Sequence, residues 1–264
     1  MKHPDNNESY IERVLTAVPG FAAARVGPRL SDGPTNTSYR VECAGEHYVL
    51  RLDKPGARQL GLNRDNERRV ARAVADAGLA PEPLFHDTAG GVYLRRFLPG
   101  RCWDTADLAK PENLRRLAAL LRKLHSLPPH GEGFDPLAAA RRYAAQSGNE
   151  AARSVLQRTE AQMQKIGKVS PHLALCHNDL VCQNILESDQ LMLIDWEYAA
   201  VGDPFFDLAV IVQHHRLDRN SAELFLRAYL QDSFGREALI RLDAQCDFYQ
   251  CLLDLWNLRV AETD

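Results

Sequence analysis

His177, Asp179 and Asn184 stand at fixed offsets within Leu175–Leu186, and a second acid, Asp195, follows the apolar run Leu191–Ile194. Transfer of a phosphoryl group from ATP needs this inventory. One carboxylate must face the attacking hydroxyl, and an amide with another carboxylate must hold magnesium against the phosphates. Short apolar runs on either side of Glu187-Ser188-Asp189-Gln190 predict two strands, which place Asn184 just before one and Asp195 just after the other. A tight hairpin brings those side chains together as hard oxygen ligands for Mg2+, leaving positions for phosphate and water. Asp179 precedes Asn184 by five residues, the offset between base and metal-binding Asn in a kinase catalytic loop. Its expected role is to accept a hydrogen bond from the substrate hydroxyl, while His177 braces the loop. The same residues allow blander readings, an acid in a turn and a structural histidine. A metallohydrolase built on His177, Asp179, His214 and His215 is the other chemistry to weigh.

These residues need elements to hold them. Tyr10–Val18 predicts a short amphipathic helix, and Ser38–Cys43 with His47–Leu52 predicts a β-hairpin around Ala44-Gly45-Glu46. Asn63–Ala77 has helical spacing, and Pro83–His86 and Val92–Phe97 read as two further strands. Pro99-Gly100 then breaks the pattern, so 1–98 is expected to form a β-rich nucleotide-binding lobe and 99–264 a helical catalytic and substrate-binding lobe. In the second part, Leu114, Leu117, Leu120, Leu121 and Leu124 mark one apolar face of a helix over Pro111–Leu127. Helices are also expected at Pro136–Gln146, Glu150–Ile166, Pro204–His214, Ala222–Gln231 and Ala238–Val260. The resulting fold class is α+β, with a small β-rich lobe and a larger, mainly helical one.

The front lobe offers parts for a nucleotide. Leu30–Tyr39 reads as a turn-rich loop before a strand, and Gly33, Thr35 and Asn36 within it could cradle phosphates through backbone N–H groups. Arg51 lies on the following strand and Glu67 on the next helix, where it could pair with Arg51 and hold it toward the phosphates. A solvated arginine and glutamate is the alternative.

Composition narrows the classes. The chain has 264 residues, 45% of them hydrophobic, enough for a sizeable core. Its net charge of −3 is uneven: from Ser170 onward there are 16 acidic and 6 basic residues, net −10, which leaves +7 for 1–169. A basic front half suits ATP, and an acidic back half suits metal ions and a cationic co-substrate. No basic stripe with interleaved aromatics points to nucleic acid. Met1–Ser9 is polar without a secretory core, and no apolar run can span a bilayer. The six cysteines show no C-x-x-C or zinc spacing and read as reduced residues of a cytoplasmic protein. Nothing in the sequence bears on the oligomeric state.

Taken together, His177-Asn178-Asp179 to Asn184, Ile194-Asp195-Trp196-Glu197-Tyr198-Ala199, Gly202-Asp203-Pro204 and Phe206-Asp207-Leu208-Ala209 resemble the choline/ethanolamine kinase and aminoglycoside phosphotransferase superfamily. Gly33–Tyr39, Arg51, Asn66-Glu67 and Gly78-Leu79-Ala80-Pro81 extend the resemblance, and Asp-Trp-Glu-Tyr-Ala is similar to the choline, ethanolamine and thiamine kinase branch. The resemblance implies a protein-kinase-like two-lobed fold. It makes Asp179 the base, Asn184 and Asp195 the magnesium ligands, and Arg51 with Glu67 the phosphate-positioning pair. It gives Glu197 a metal-supporting or substrate-orienting role, and Arg95-Arg96-Phe97-Leu98 the adenine contact. Two positions depart from the pattern: Asp32 stands where a loop glycine is usual, and Arg95 where an acid is common.

The expected acceptor is a small cationic alcohol of the choline, ethanolamine or thiamine type. Tyr249 and Trp256 are seven residues apart on the last helix, with Asp247 and Asp254 at the same spacing, and would form its aromatic and anionic surroundings. Core packing of the aromatics is the alternative, and Trp196 and Tyr198 are read as packing residues. An aminoglycoside or amino-sugar phosphotransferase is the second enzymatic reading. A nucleotide-binding regulator without catalysis is a reading from another class, and Asp32 is its main support.

Overall fold

The computed structural model describes residues 8–166 and 172–261. The polar start, Met1–Asn7, lies outside them, so the expectation about a secretory signal has no structural counterpart there. The chain divides into two compact units, Met1–Pro99 and Gly100–Asp264.

The first unit contains helix α1 (Glu8–Ala17), strands β1 (Arg25–Asp32), β2 (Asn36–Cys43) and β3 (Glu46–Asp53), helix α2 (Arg64–Asp76), and strands β4 (Pro83–Asp87) and β5 (Val92–Arg96). The five strands form one antiparallel sheet in the order β1-β2-β3-β5-β4. Ala44 and Gly45 both have positive φ, 51° and 81°, and join β2 to β3. Such a two-residue turn matches the right-handed twist of the flanking strands. Ile11, Leu15 and Val18, from α1 and the turn after it, pack with Val41, Leu50, Leu52 and Leu94 of the sheet. Asn63 caps α2 by accepting a hydrogen bond from the Asn66 N–H at 3.0 Å, and Asp65 and Glu67 supply first-turn acids.

One expectation is corrected here. Leu30–Tyr39 is not a long loop. Leu30–Asp32 belongs to β1 and Asn36–Tyr39 to β2, leaving the turn Gly33-Pro34-Thr35. The strand escapes sequence reading because Gly27-Pro28 interrupts its pattern and its register against β2 shifts twice. An edge strand tolerates such a proline, whose missing N–H costs no central ladder bond.

The second unit contains β6 (Arg101–Cys102), α3 (Thr105–Leu108), α4 (Pro111–His125), α5 (Pro136–Ser147), α6 (Glu150–Ile166), β7 (Ala174–Cys176), β8 (Ile185–Glu187), β9 (Leu191–Leu193), β10 (Ala200–Gly202), α7 (Pro204–Ala209), α8 (Arg219–Leu230) and α9 (Arg236–Val260). Two small sheets carry the loops of interest. One is β6-β8-β9, and the other is the antiparallel pair of β7 and β10. The expected helix over Pro204–His214 changes character partway, becoming a π-turn at Val210–His214. On α4, Leu114, Leu117, Leu121 and Leu124 are buried, while Leu120 is only half-buried at the margin of the apolar face. No helix among the described residues is long and apolar enough to cross a membrane.

The α4 face supplies a stability test. Leu117 is fully buried, so Leu117→Ala is expected to cost about 2–5 kcal/mol of unfolding free energy. Leu120→Ala should cost distinctly less. Denaturant unfolding of both variants checks this, and equal losses would contradict the assigned face.

Candidate active site

The catalytic-type loop hangs between two strands too short to show a period in sequence. β7 delivers the chain to His177, and a 3-10 turn over Cys182–Asn184 leads into β8. The β8–β9 hairpin returns the chain to Asp195. At the junction the Ile194 N–H donates to the Asn184 carbonyl at 2.9 Å, so the two predicted metal ligands are tied by backbone. Asn178 and Asp195 both adopt φ of 64°. Left-handed backbone is uncommon for non-glycine residues, Asn and Asp being the usual exceptions.

Asn184 donates its Nδ2 to the Asp179 carbonyl at 2.8 Å and to Asp179 Oδ2 at 3.0 Å. Burial, followed by the nearby charge of Asp195, pushes the Asp179 carboxyl up to about 7, although the Asn184 hydrogen bond works in the opposite direction. A carboxylate with that affinity for protons is suited to general-base work near neutrality. The donor set fits a magnesium ion. Asn184 commits its amide nitrogen to Asp179, leaving its oxygen as a hard donor, and Asp195 adds an anionic oxygen. The lift on Asp179 marks negative charge that a cation would offset.

The loop is positioned by a residue that the sequence reading named in a motif but gave no role, Asp207. Asp207, fully buried on α7, accepts the backbone N–H of His177 at 2.8 Å and that of Asn178 at 2.7 Å. His125 from α4 donates Nε2 to the same carboxylate at 3.0 Å, and its Nδ1 meets the Tyr229 hydroxyl at 2.7 Å. An acid within the apolar run Phe205–Val212 was the available signal, because a buried carboxylate must find donors. His177 is also fully buried. It donates Nε2 to the Ile194 carbonyl at 3.0 Å, and burial keeps its affinity for protons below that of a free histidine. It braces the loop.

Among the described residues, His125, Cys176 and Asp207 lie as close together as metal ligands do. The Asp207 oxygens, however, are already engaged by two amides and an imidazole. The metallohydrolase set is not assembled: His214 bonds the Tyr249 hydroxyl, His215 the Leu180 carbonyl, and His177 the Ile194 carbonyl.

Around Asp179 the aromatics sort differently from expectation. Trp256, half-buried on α9, meets Tyr143 of α5 edge-on at 5.4 Å and Tyr198 at 6.0 Å. The Tyr198 hydroxyl is buried without a hydrogen-bond partner. Burial and the charges of Glu197, Asp179 and Asp195 keep it protonated. Both Trp196 and Tyr198 pack as expected: Trp196 is buried and donates Nε1 to the Leu193 carbonyl at 3.2 Å, and the Tyr198 ring lies edge-on to Trp256, with its hydroxyl left unpartnered. Tyr249 packs against Phe206 at 5.9 Å and bonds His214 through its hydroxyl, yet it still senses the Asp179 charge. Glu197 is buried beside Tyr198. Asp247 and Asp254 do not accompany these rings. Asp254 accepts from Gln250 at 2.8 Å and meets Arg158 of α6 at 3.4 Å, and Asp247 is exposed. Each precedes its aromatic by two residues, which turns it about 200° around the helix.

The first unit holds the second group of candidates. Arg51 and Glu67 form a buried two-pronged pair at 2.6 and 2.8 Å, not a solvated one. Burial alone would raise the Glu67 carboxyl, but the Arg51 charge and hydrogen bonds, with the Arg64 charge, hold it at about 2. The turn Gly33-Pro34-Thr35 is closed by the Gly33 N–H on the Asn36 carbonyl at 3.0 Å, and Thr35 and Asn36 are buried. Asp32 does not stand as a bare carboxylate. Lys54 at 2.7 Å and Arg29 at 2.9 Å pair with it, Thr37 donates to it, and the Lys54 hydrogen bond lowers its affinity for protons. Phe97 lies against its own sheet, with the Arg40 guanidinium 4.6 Å above its ring and its N–H on the His47 carbonyl.

Asp207→Ala should cost about 3–5 kcal/mol of unfolding free energy, because two loop amides and an imidazole lose a buried anionic acceptor. Tyr229→Phe, which removes one neutral hydroxyl at the edge of the network, should cost about 1 kcal/mol. Denaturant titrations compare them, and equal losses would contradict the central place of Asp207.

Residues 26–241 match the family described as APH, phosphotransferase enzyme family. The protein LicA of Haemophilus influenzae is 30% identical over 210 residues, covering 75% of this chain and 60% of that protein, so the match spans about three fifths of the relative's length. A choline/ethanolamine kinase family protein from Mesorhizobium loti superposes with a TM-score of 0.80 at 26% identity, covering 97% of this chain and 87% of that one. The choline kinase LicA of Streptococcus pneumoniae superposes with a TM-score of 0.82 at 21% identity, covering 97% and 91%. The sheet-bearing first unit and mainly helical second unit thus have the protein-kinase-like fold of these neighbours, and the chain belongs to the phosphotransferase enzyme family.

Proposed function

We propose that the chain is an ATP- and magnesium-dependent kinase that phosphorylates the hydroxyl of a small cationic alcohol of the choline or ethanolamine type. The observation that carries this reading is the cluster of Tyr143, Tyr198 and Trp256 in the same unit as a carboxyl, Asp179, whose proton affinity Asp195 raises. Aromatic faces attract an ammonium group, and the buried Tyr198 hydroxyl offers a donor with no protein partner. Asp179 accepts the hydrogen bond of the acceptor hydroxyl and aims its oxygen at the γ-phosphorus. As that oxygen bonds phosphorus and the bond from phosphorus to the ADP oxygen breaks, Asp179 takes the proton. Asn184 keeps the Asp179 carboxylate turned to the substrate. Asn184 and Asp195 would hold magnesium, which when bound neutralises the phosphate charge. Arg51, braced by Glu67, addresses the nucleotide phosphates together with the amides of the Gly33–Thr35 turn, and Phe97 lies in the segment assigned to adenine.

An aminoglycoside or amino-sugar acceptor is less well served. Such polycations need unpaired acids, and here Asp203, Asp243 and Asp254 are matched by Arg241, Arg219 and Arg158. Those three acids are thereby matched within the fold. The regulator reading loses its main support, because Asp32 is paired by Lys54 and Arg29. Thiamine, cationic and bearing a primary hydroxyl, stays within the proposed acceptor class.

Asp179→Asn should lower kcat by about 10²–10⁴-fold while leaving the ATP KM within about threefold. Steady-state coupled assays give both constants, and a variant with full turnover would remove Asp179 from its role. In a panel of choline, ethanolamine, thiamine, an aminoglycoside and a neutral sugar, the quaternary or primary ammonium alcohols should show the highest kcat/KM. Trp256→Ala should raise the KM for choline by about 3–30-fold and that of an uncharged alcohol much less. Equal effects on both would place Trp256 in the core alone.

A further inference from the structure

Arg64 opens α2, yet a cation at the positive end of a helix dipole is unfavourable. A locally unfavourable choice that the fold retains points to a demand elsewhere. Its guanidinium is almost wholly buried and fully engaged: Nε and Nη2 grip both oxygens of Asp53 at 2.7 Å, and Nη1 reaches Glu67 Oε2 at 2.8 Å. Glu67 in turn holds Arg51 with both oxygens. Asp53 is the last residue of β3 and stands opposite Asn36, where the Gly33–Thr35 turn enters β2. The next N–H, that of Lys54, donates to the Thr35 carbonyl of the turn at 2.8 Å.

Asp53 is fixed independently of Arg64. Its N–H donates to the Gly91 carbonyl at 2.9 Å. Gly91 has φ of 68°, and a Cβ there would lie 2.7 Å from the Asp53 Cβ. Only glycine lets that backbone come so close. The strand end is thus an anchor, and Arg64 connects it to the helix that carries Glu67.

We propose that Arg64 is a positioning residue that locks the Arg51–Glu67 pair to the Asp53–Lys54 strand end, so that the phosphate-facing cation and the phosphate turn act as one rigid cradle. The inference rests on the assignment of Arg51 and the turn to nucleotide phosphates. Glu67 with Arg51 alone would be a neutral pair free to swing about the glutamate torsions. The second guanidinium removes that freedom, and half-buried Asp53 balances its charge, so the four groups sum to zero. A lysine can replace it only in part, since one ammonium does not present the planar fork that spans two carboxylates.

The test measures ATP KM, acceptor KM and melting temperature for wild type, Arg64→Met, Arg64→Lys, Asp53→Asn and the double variant Arg64→Met/Asp53→Asn. We expect a rise of about tenfold or more in ATP KM for Arg64→Met, an acceptor KM within about twofold, and partial recovery in Arg64→Lys. Asp53→Asn should give a similar rise, and the double variant no more than the larger single effect, because both act through one contact. An unchanged ATP KM in soluble, folded Arg64→Lys and Asp53→Asn would overturn the proposal. So would equal rises in both KM values together with a lowered melting temperature. Wild-type protein that turns over no acceptor in the panel would instead fail the kinase reading itself.

Discussion

A carboxylate buried at Asp207 cannot stand without donors, and the way it finds them organises the second unit. Its oxygens take the N–H groups of two successive loop residues, His177 and Asn178, and one nitrogen of His125. Two amides converging on one anion oblige the chain to turn sharply after β7. Asn178 takes the left-handed conformation there, and Asp179 follows directly. From that point the loop has little freedom. Asn184 closes back on Asp179, the Ile194 N–H closes on Asn184, and His177 closes on the Ile194 carbonyl. Asp207 is also one of the charges that raise the proton affinity of Asp179. One buried acid thus helps set both where Asp179 stands and how strongly it holds a proton.

The first unit handles buried charge in another way. Two arginines and two acids, Arg51, Arg64, Glu67 and Asp53, satisfy one another with short hydrogen bonds on a sheet and a helix. Burying such ions is costly, and the cost is met only when the geometry is good and every partner is present. Hence the network is stiff, and its members cannot be judged singly. The Tyr93 ring, with the Arg51 guanidinium 5.0 Å from its centroid, adds a face that further limits where that cation can go. Asp32, by contrast, is matched by half-buried Lys54 and exposed Arg29, where solvent screens the interaction and side chains can rearrange.

The proposed acceptor site draws on elements far apart in sequence. Tyr143 comes from α5, Tyr198 from the segment after β9, and Trp256 from α9. Edge-on contacts between these rings set their relative tilt, as the aromatic quadrupole favours. The Tyr198 hydroxyl is unpartnered, whereas guanidinium groups lie over the other two rings, Arg142 at 5.3 Å from the Tyr143 centroid and Arg259 at 5.8 Å from that of Trp256. The acids of the back half contribute less than their number suggests, because arginines of neighbouring helices occupy several of them.

The sequence by itself determined what depends on neighbours along the chain. The α4 stripe, the hairpin at Ala44-Gly45 and the Asp179, Asn184 and Asp195 trio are all local, because a turn or a hairpin fixes side-chain relations within a few residues. Short strands such as β7 and β10 were not legible, since three residues establish no period, and β1 was hidden by Gly27-Pro28. The Arg51–Glu67 pairing was legible as one of two readings; burial decided for a bidentate contact over two solvated charges. Asp254 went to Arg158 because helix rotation carried it away from Trp256. What only the tertiary structure decided is the long-range part: His125 reaching Asp207 across 82 positions, Arg64 joining Asp53 to Glu67, and Tyr143 meeting Trp256. Such partnerships arise from packing, and a chain read along its length carries no signal of which distant polar groups will share a buried anion.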